Sequence, residues 1–131
     1  MTLAHFQAVA TVLDSALSAT VYTEGVPENA ALPYVVIWSR GGTIKAGDIT
    51  GHPDGWRNIE FQTTVVAAGA KAAIRLQDLV YDALLGVSPS VSGWTCGPIW
   101  HVVGGTVDEN ERVPRVTWSP FDVWRLKTVP A

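Results

Sequence analysis

The sequence has little of several features that would point to a particular class of protein. It contains one cysteine, Cys96, so no disulfide forms within the chain and the fold needs no oxidising compartment. Charged residues make up only 16% of the chain, below the usual quarter of a soluble domain. The nine lysines and arginines are scattered between Arg40 and Lys127, which argues against direct, sequence-specific binding of nucleic acid.

Long hydrophobic runs are also missing. No stretch of about 18 consecutive apolar residues occurs, so the sequence predicts no membrane span and no membrane partner. Residues 1–6 contain no lysine or arginine and therefore lack the positively charged start of a secretion signal. We expect synthesis in a cytoplasm.

Apolar residues, by contrast, are abundant. They make up 47% of the chain and include six tryptophans. A chain of 131 residues has the length of one domain and this composition supplies a core, so we predict a single folded domain over residues 1–131. Because few charges are available to cover its surface, part of the aromatic surface is predicted to face a partner.

Two segments have the spacing of amphipathic helices. In residues 3–18 apolar side chains recur every three or four positions, and Leu13 is expected in the core. In residues 70–85 the apolar stripe includes Leu76 and Leu79, which we also expect to be buried. Gly86 follows this segment, as is typical of a helix end.

Five segments have the composition of β-strands. Residues 57–66 alternate in polarity, which predicts a half-buried strand with Phe61 in the core, whereas the apolar run at 34–38 predicts a strand covered on both faces. Residues 20–23, 94–103 and 115–127 are further strands, and Pro120 predicts an edge position or a bulge in the last one. Core packing is the expected role of most of the strand tryptophans, which are Trp38, Trp94, Trp100, Trp118 and Trp124.

Two connections between these strands are predicted to be exposed. Residues 40–56 contain five glycines and the turn sequence His52-Pro53-Asp54-Gly55, which predicts a long functional loop. Residues 107–114 predict a turn or hairpin with an acidic tip. Since the elements do not alternate as βαβ units, we predict an α+β fold: a mixed, largely antiparallel sheet, two helices packed on one face and a long Gly-rich loop.

No group of residues predicts catalysis. Asp48, His52 and Asp54 lie in a glycine-rich segment without fixed spacing, and turn formation explains them better than a metal site. Cys96 and His101 are five residues apart on one predicted strand, so their side chains are expected to point to opposite faces. Nucleophile, phosphate-loop and metalloprotease motifs are absent. We therefore predict that the chain is not an enzyme and binds no cofactor.

The order of the predicted helices and strands is similar to that of a known protein family. The motifs that carry it are the N-terminal helix, Leu32-Pro33-Tyr34-Val35-Val36-Ile37, the glycine-rich segment, Phe61-Gln62-Thr63-Thr64-Val65-Val66 leading into the second helix, and a last strand with Phe121, Val123 and Trp124. In this arrangement, over residues 3–127, the chain resembles the tail terminator (tail-completion) proteins of long-tailed bacteriophages.

That resemblance implies a structural role in virion assembly. Members of the family form a hexameric ring that caps the tail tube at its head-proximal end, stops tube polymerisation and provides the surface for docking to the head. For this chain the resemblance implies three kinds of partner: further copies of itself, the tail tube protein, and a head–tail connector or neck protein. Pro120 departs from the pattern and leaves the pairing of the last strand open.

The glycine-rich segment and the acidic hairpin are the predicted contact regions, with Trp56 as an aromatic anchor. The candidate interface residues are Arg40, Lys45, Asp48, His52, Asp54, Trp56, Arg57, Asp108, Glu109 and Glu111. Two alternatives remain open. One is another neck or tail-tube protein of a phage, and the other is a small-molecule-binding α+β domain whose pocket is lined by Trp38, Trp100 and Trp118.

Overall fold

The helices and strands occur in the order of an α+β domain. The computed structural model describes residues 3–23, 25–44, 57–105, 109–112 and 115–131, with the backbone alone at 41–44, 109–112, 115 and 116. In chain order the elements are α1 (Leu3–Ala16), β1 (Thr20–Tyr22), β2 (Tyr34–Ile44), β3 (Arg57–Val66), α2 (Ala70–Leu84), β4 (Trp94–Cys96), β5 (Trp100–Gly104), β6 (Glu109–Arg112), β7 (Arg115–Trp118) and β8 (Phe121–Pro130). None of the described helices has the length and apolar character needed to cross a membrane.

The main sheet is mixed and mostly antiparallel, as predicted. Its strands lie in the order β1-β2-β3-β8-β4, and β5 pairs with β8. β1 runs parallel to β2, whereas the other pairs of this sheet are antiparallel. Strands β6 and β7 form a separate antiparallel hairpin. β8 is therefore an interior strand, which pairs with β3 on one side and with β4 and β5 on the other.

The core lies between the two helices and one face of this sheet. Alternate residues of β3, namely Ile59, Phe61, Thr63 and Val65, are buried, which confirms the alternation seen in the sequence. They pack with apolar side chains of both helices and of the neighbouring strands: Val9, Leu13, Val35, Ile37, Leu76, Val80, Leu84, Ile99, Trp124 and Leu126. Burying each large apolar side chain contributes about 1.5–3 kcal/mol, so this layer is the main source of stability.

One of the four predicted core residues is not in the core. Leu13, Phe61 and Leu76 are buried as expected, but Leu79 is 49% exposed. The buried stripe of α2 runs through Leu76 and Val80, and successive residues of a helix differ by about 100° in direction. Leu79 therefore points away from the sheet. Gly86 follows the helix with a φ of 76°, in agreement with its predicted role at the helix end.

The predicted long loop begins later than the sequence indicated. Residues 40–44 continue β2 instead of forming a loop, and Gly42, Thr43 and Ile44 pair with the start of β3. A register shift between Ser39 and Gly42 accommodates the two glycines as an irregularity within the ladder. Glycine content alone therefore misled the prediction, because the pairing with β3 outweighs it. The remaining residues of the predicted loop, 45–56, lie outside the described residues.

Two further strands differ from the predicted ones. The segment 94–103 is interrupted between β4 and β5, where Ile99 turns into the core and hydrogen-bonds through its amide to the carbonyl of Val87. The segment 115–127 is likewise divided into β7 and β8 by Ser119 and Pro120. Pro120 interrupts the predicted strand, as expected, but it lies between two strands and not at an edge position or a bulge within one. Its carbonyl accepts a hydrogen bond from the amide of Val65.

Candidate assembly surface

The structure describes only part of the predicted interface. Lys45, Asp48, His52, Asp54, Trp56 and Asp108 lie outside the described residues. Glu109 and Glu111 belong to β6, where they pair with Trp118 and Val116 of β7. The hairpin is confirmed, but these two acidic residues lie along its strand and not at its tip, since Arg112 and Arg115 form the last pair of the ladder.

Arg40 and Arg57, two of the candidate interface residues, lie on opposite faces of the sheet. The Nη1 of Arg40 donates a hydrogen bond to the Oε1 of Gln62 (3.2 Å) on the face away from the helices. The guanidinium of Arg57 lies 4.8 Å from the ring centroid of Trp94 and belongs to the helix-covered face, since Arg57 pairs with the buried Thr128. The sheet therefore separates these two cations.

The sheet face away from the helices carries a second, exposed set of side chains. We call it the open face, and its residues are Trp38, Arg40, Glu60, Gln62, Trp100, Val103, Arg125 and Lys127. Trp38 is 48% exposed, Trp100 57% and Val103 50%. These values are high for large apolar side chains, and the three residues flank the polar side chains of β3 and β8 on the same face, Trp38 on β2 and the other two on β5. Such a grouping on one face is typical of a protein–protein contact.

The open face is positively charged overall. Its described side chains include three cations, Arg40, Arg125 and Lys127, and one carboxylate, Glu60, so its formal charge is +2. The Nη2 of Arg125 donates a hydrogen bond to the Oε1 of Glu60 (2.8 Å), and the Nζ of Lys127 lies 5.8 Å from the ring centroid of Trp100. Lys127 therefore lies beside aromatic surface, whereas Arg125 is paired with a carboxylate.

Core packing was expected for most of the strand tryptophans, but of the five only Trp124 is buried. Its indole Nε1 donates a hydrogen bond to the Oγ1 of Thr63 (2.9 Å). Trp38 and Trp100 instead lie on the open face, and strands β3 and β8 separate them. Three inter-strand spacings place them about 14 Å apart across the sheet. They therefore do not converge on the pocket that the small-molecule alternative required.

A groove lies elsewhere, between the end of α1, α2 and the segment that leads into β2. It has a volume of about 470 Å³ and is lined by Ser18, Ala19, Thr20, Ala31, Leu32, Pro33, Ala72, Arg75, Leu76 and Leu79. Arg75 is its one charged lining residue. Its other polar lining side chains are the hydroxyls of Ser18 and Thr20, and the remaining lining residues are apolar.

A polar cluster joins β5, β8 and α2 on the helix-covered face. The Oδ1 of the buried Asp122 accepts a hydrogen bond from the Nε2 of His101 (2.8 Å), and its Oδ2 accepts one from the Nε2 of Gln77 (3.1 Å). The His101 ring also packs edge-on against Trp124, with ring centroids 5.0 Å apart. These contacts satisfy a buried carboxylate and tie three elements together, which accounts for the cluster as a structural feature.

Cys96 and His101 do not point to opposite faces, contrary to the prediction. Cys96 pairs with Thr128 and His101 pairs with Trp124, and both partners lie on the helix-covered face of β8. Because residues 97–99 interrupt the strand between β4 and β5, the alternation of side chains between the two faces does not continue from Cys96 to His101. Four residues of β8 separate the two pairs, which is about 13 Å along the strand, so the thiol and the imidazole are too far apart to act together.

His5 forms a second buried polar contact. It is fully buried on α1, and its Nε2 lies 3.0 Å from the Oγ1 of Thr128, within a hydrogen bond that joins the helix to β8. Burial lowers the pKa of His5 below its ordinary value of 6.5, and the positive charge of Arg57 lowers it further. His5 is therefore neutral in the folded chain at neutral pH. Within the described residues no group of three or more potential ligands is placed to hold a metal ion.

Comparison with known proteins gives a structural likeness but no sequence family. No model of a known protein family matches the chain, and no curated protein matches it. The chain is similar to a solved structure described as "Virion of native gene transfer agent (GTA) particle", with a TM-score of 0.71 and 19% sequence identity. The likeness covers 96% of this chain and 95% of that one. The chain therefore shares its fold, over nearly its whole length, with a chain of a gene transfer agent virion.

Proposed function

We propose that this chain is a structural, non-enzymatic protein of a phage-like virion. The observation that carries the proposal is the likeness to a chain of a gene transfer agent virion over almost the full length of both chains. The open face supports it, because Trp38, Trp100 and Val103 provide the exposed apolar surface that an assembly protein needs. The described polar clusters around Asp122 and His5 are explained by packing, without a catalytic role.

Within the virion, the proposed position of the chain is the head-proximal end of the tail. The chain would form a hexameric ring that caps the tail tube, stops its polymerisation and offers the docking surface for the head–tail connector or neck protein. The sequence resemblance to tail terminators and the observed α+β fold support this position. A closed ring uses two different surfaces of each copy, and the open face offers one of them.

Electron microscopy of the purified full chain tests this function. We expect six-fold rings, and we expect that adding the chain to polymerising tail-tube subunits from the same genome gives shorter tubes capped at one end. Deletion of residues 45–51, in the predicted contact segment, should abolish capping while the domain stays folded by circular dichroism. A chain that forms no rings and leaves tube lengths unchanged contradicts the proposal. Incorporation along the tube wall would instead identify a tube protein.

A further inference from the structure

His5 attaches the first turn of α1 to the sheet. Its ring is fully buried, whereas Leu3 and Ala4 of the same turn are exposed. The Nε2 of His5 lies 3.0 Å from the Oγ1 of Thr128 on β8. The ring also packs edge-on against Trp94 of β4, with ring centroids 4.9 Å apart. This imidazole is therefore the fully buried contact of the first turn with β4 and β8.

The charged groups that act on His5 are cationic. The guanidinium of Arg57, on β3, lies 4.8 Å from the ring centroid of the same Trp94, and the N-terminal amine adds positive charge. β4 contributes the thiol of Cys96, whose Sγ lies 3.5 Å from the same threonine hydroxyl. On β8 the neighbouring Lys127 belongs to the open face. Burial lowers the pKa of His5, and the amine and Arg57 lower it further.

A proton added to His5 enters an unfavourable place in the folded chain. The hydroxyl of Thr128 donates to the carbonyl of Thr95 (3.3 Å), so the Nε2–H of His5 donates to that hydroxyl and Nδ1 takes the second proton. The imidazolium is then buried against the same tryptophan as Arg57. It also lies in the first turn of a helix, where the helix dipole is positive and no acidic residue offsets it. All of these effects are relieved when the first turn moves into water.

We propose that His5 is a pH-sensitive switch that releases the first turn of α1 from β4 and β8 in mildly acidic solution. The release is local, because the rest of the helix keeps its own buried contacts through Val9 and Leu13. Helix ends open at a much smaller free energy than the packed core. Opening uncovers Trp94 and Cys96 on β4. The switch needs no partner and is therefore independent of the proposed role in a virion.

The direction of the response follows from the two environments of His5. In the open turn the ring is solvated and titrates near its ordinary pKa of 6.5, whereas burial keeps the pKa lower in the closed turn. The open state therefore binds the proton more tightly. The equilibrium constant for opening rises as the pH falls through 6.5, by up to about tenfold per pH unit. Above this range the ring is neutral in both states, and its contribution to opening does not depend on pH.

Amide hydrogen exchange of the full chain, followed residue by residue with NMR, measures this opening. The amides of residues 7–10 donate to the carbonyls of residues 3–6, so they lose their hydrogen bonds when the first turn opens. We expect their protection factors, which are corrected for the intrinsic effect of pH, to fall at least about fivefold between roughly pH 7.5 and pH 5. Because opening exposes little surface, this exchange should not respond to urea below the global unfolding transition.

Three variants assign the response to His5. His5→Gln keeps a side-chain N–H for Thr128 but does not titrate, so the protection factors at residues 7–10 should change by less than about twofold over the same range. Arg57→Gln removes a cation that opposes protonation and should give a smaller response than the wild type. His101→Gln is the matched control at the other described histidine and should keep the wild-type response.

Four results would refute the switch. They are a wild type whose protection at residues 7–10 does not fall in acid, an undiminished fall in His5→Gln, loss of the fall in His101→Gln, and exchange at residues 7–10 with the same urea dependence as the amides of β3 and β8. The last result would show that the helix opens only when the whole domain unfolds. The wild-type measurements and Arg57→Gln decide the outcome even if His5→Gln fails to fold.

Discussion

The hydrogen bond between Trp124 and Thr63 gives the most direct test of how the core is organised. Both side chains are buried, Trp124 at 0% and Thr63 at 1% exposure, and the indole Nε1 donates to the threonine Oγ1 across 2.9 Å. Thr63→Val removes the acceptor and keeps the shape, whereas Trp124→Phe removes the donor and leaves a small cavity. The double variant removes both polar groups at once.

The expected costs follow from what each change leaves unsatisfied. Thr63→Val leaves the buried indole N–H without a hydrogen-bond acceptor and should lower the free energy of unfolding by about 1–3 kcal/mol. Trp124→Phe leaves the buried hydroxyl of Thr63 without its donor at a similar cost, and the cavity lowers the free energy of unfolding by roughly 1 kcal/mol more. In the double variant neither polar group remains, so only the cavity cost of roughly 1 kcal/mol is left, and the cost should be smaller than the sum of the two single costs by about 2–6 kcal/mol.

Urea unfolding of the four proteins, followed by far-UV circular dichroism, measures this coupling. Thr95→Val is the matched control, because the Thr95 side chain is exposed, and it should change the free energy of unfolding by no more than about 0.5 kcal/mol. Costs that add within about 0.5 kcal/mol would show that the two groups do not interact, and would refute the pairing of β3 with β8 around this bond.

Three further predictions concern single residues. Leu76→Ala should lower the free energy of unfolding by about 2–5 kcal/mol, whereas Leu79→Ala, at an exposed site, should cost far less; equal costs in urea unfolding would contradict the observed phase of α2. Since burial lowers the pKa of His5, the unfolded chain binds more protons just below pH 6.5, and stability should fall as the pH drops through this range. In His5→Phe that component should vanish from the pH dependence of thermal unfolding, and an unchanged profile would count against it. His101→Ala and Cys96→Ala should retain tube capping when folded, and loss of capping in a folded variant would argue for a chemical role.

Short-range patterns were sufficient for much of the architecture. The alternation of Ile59, Phe61 and Val65 predicted the buried face of β3, and helical spacing located both helices to within two residues at each end. These predictions succeeded because hydrophobic periodicity reflects the geometry of each element by itself. The hairpin of β6 and β7 was likewise predicted from its local sequence, although the place of Glu109 and Glu111 along its strand was not.

Features that depend on contacts between distant segments were decided only by the tertiary structure. The glycine-rich residues 40–44 became strand because β3 offers them a partner, and Pro120 fell between two strands because β8 is paired on both sides. The exposure of Trp38 and Trp100 followed from the same cause: an aromatic residue in a strand is buried only if something covers its face of the sheet. The sequence by itself determined the elements and the apolar residues available to a core. Which face of the sheet the helices cover, and which tryptophans are left for a partner, were determined by packing between segments far apart in the chain.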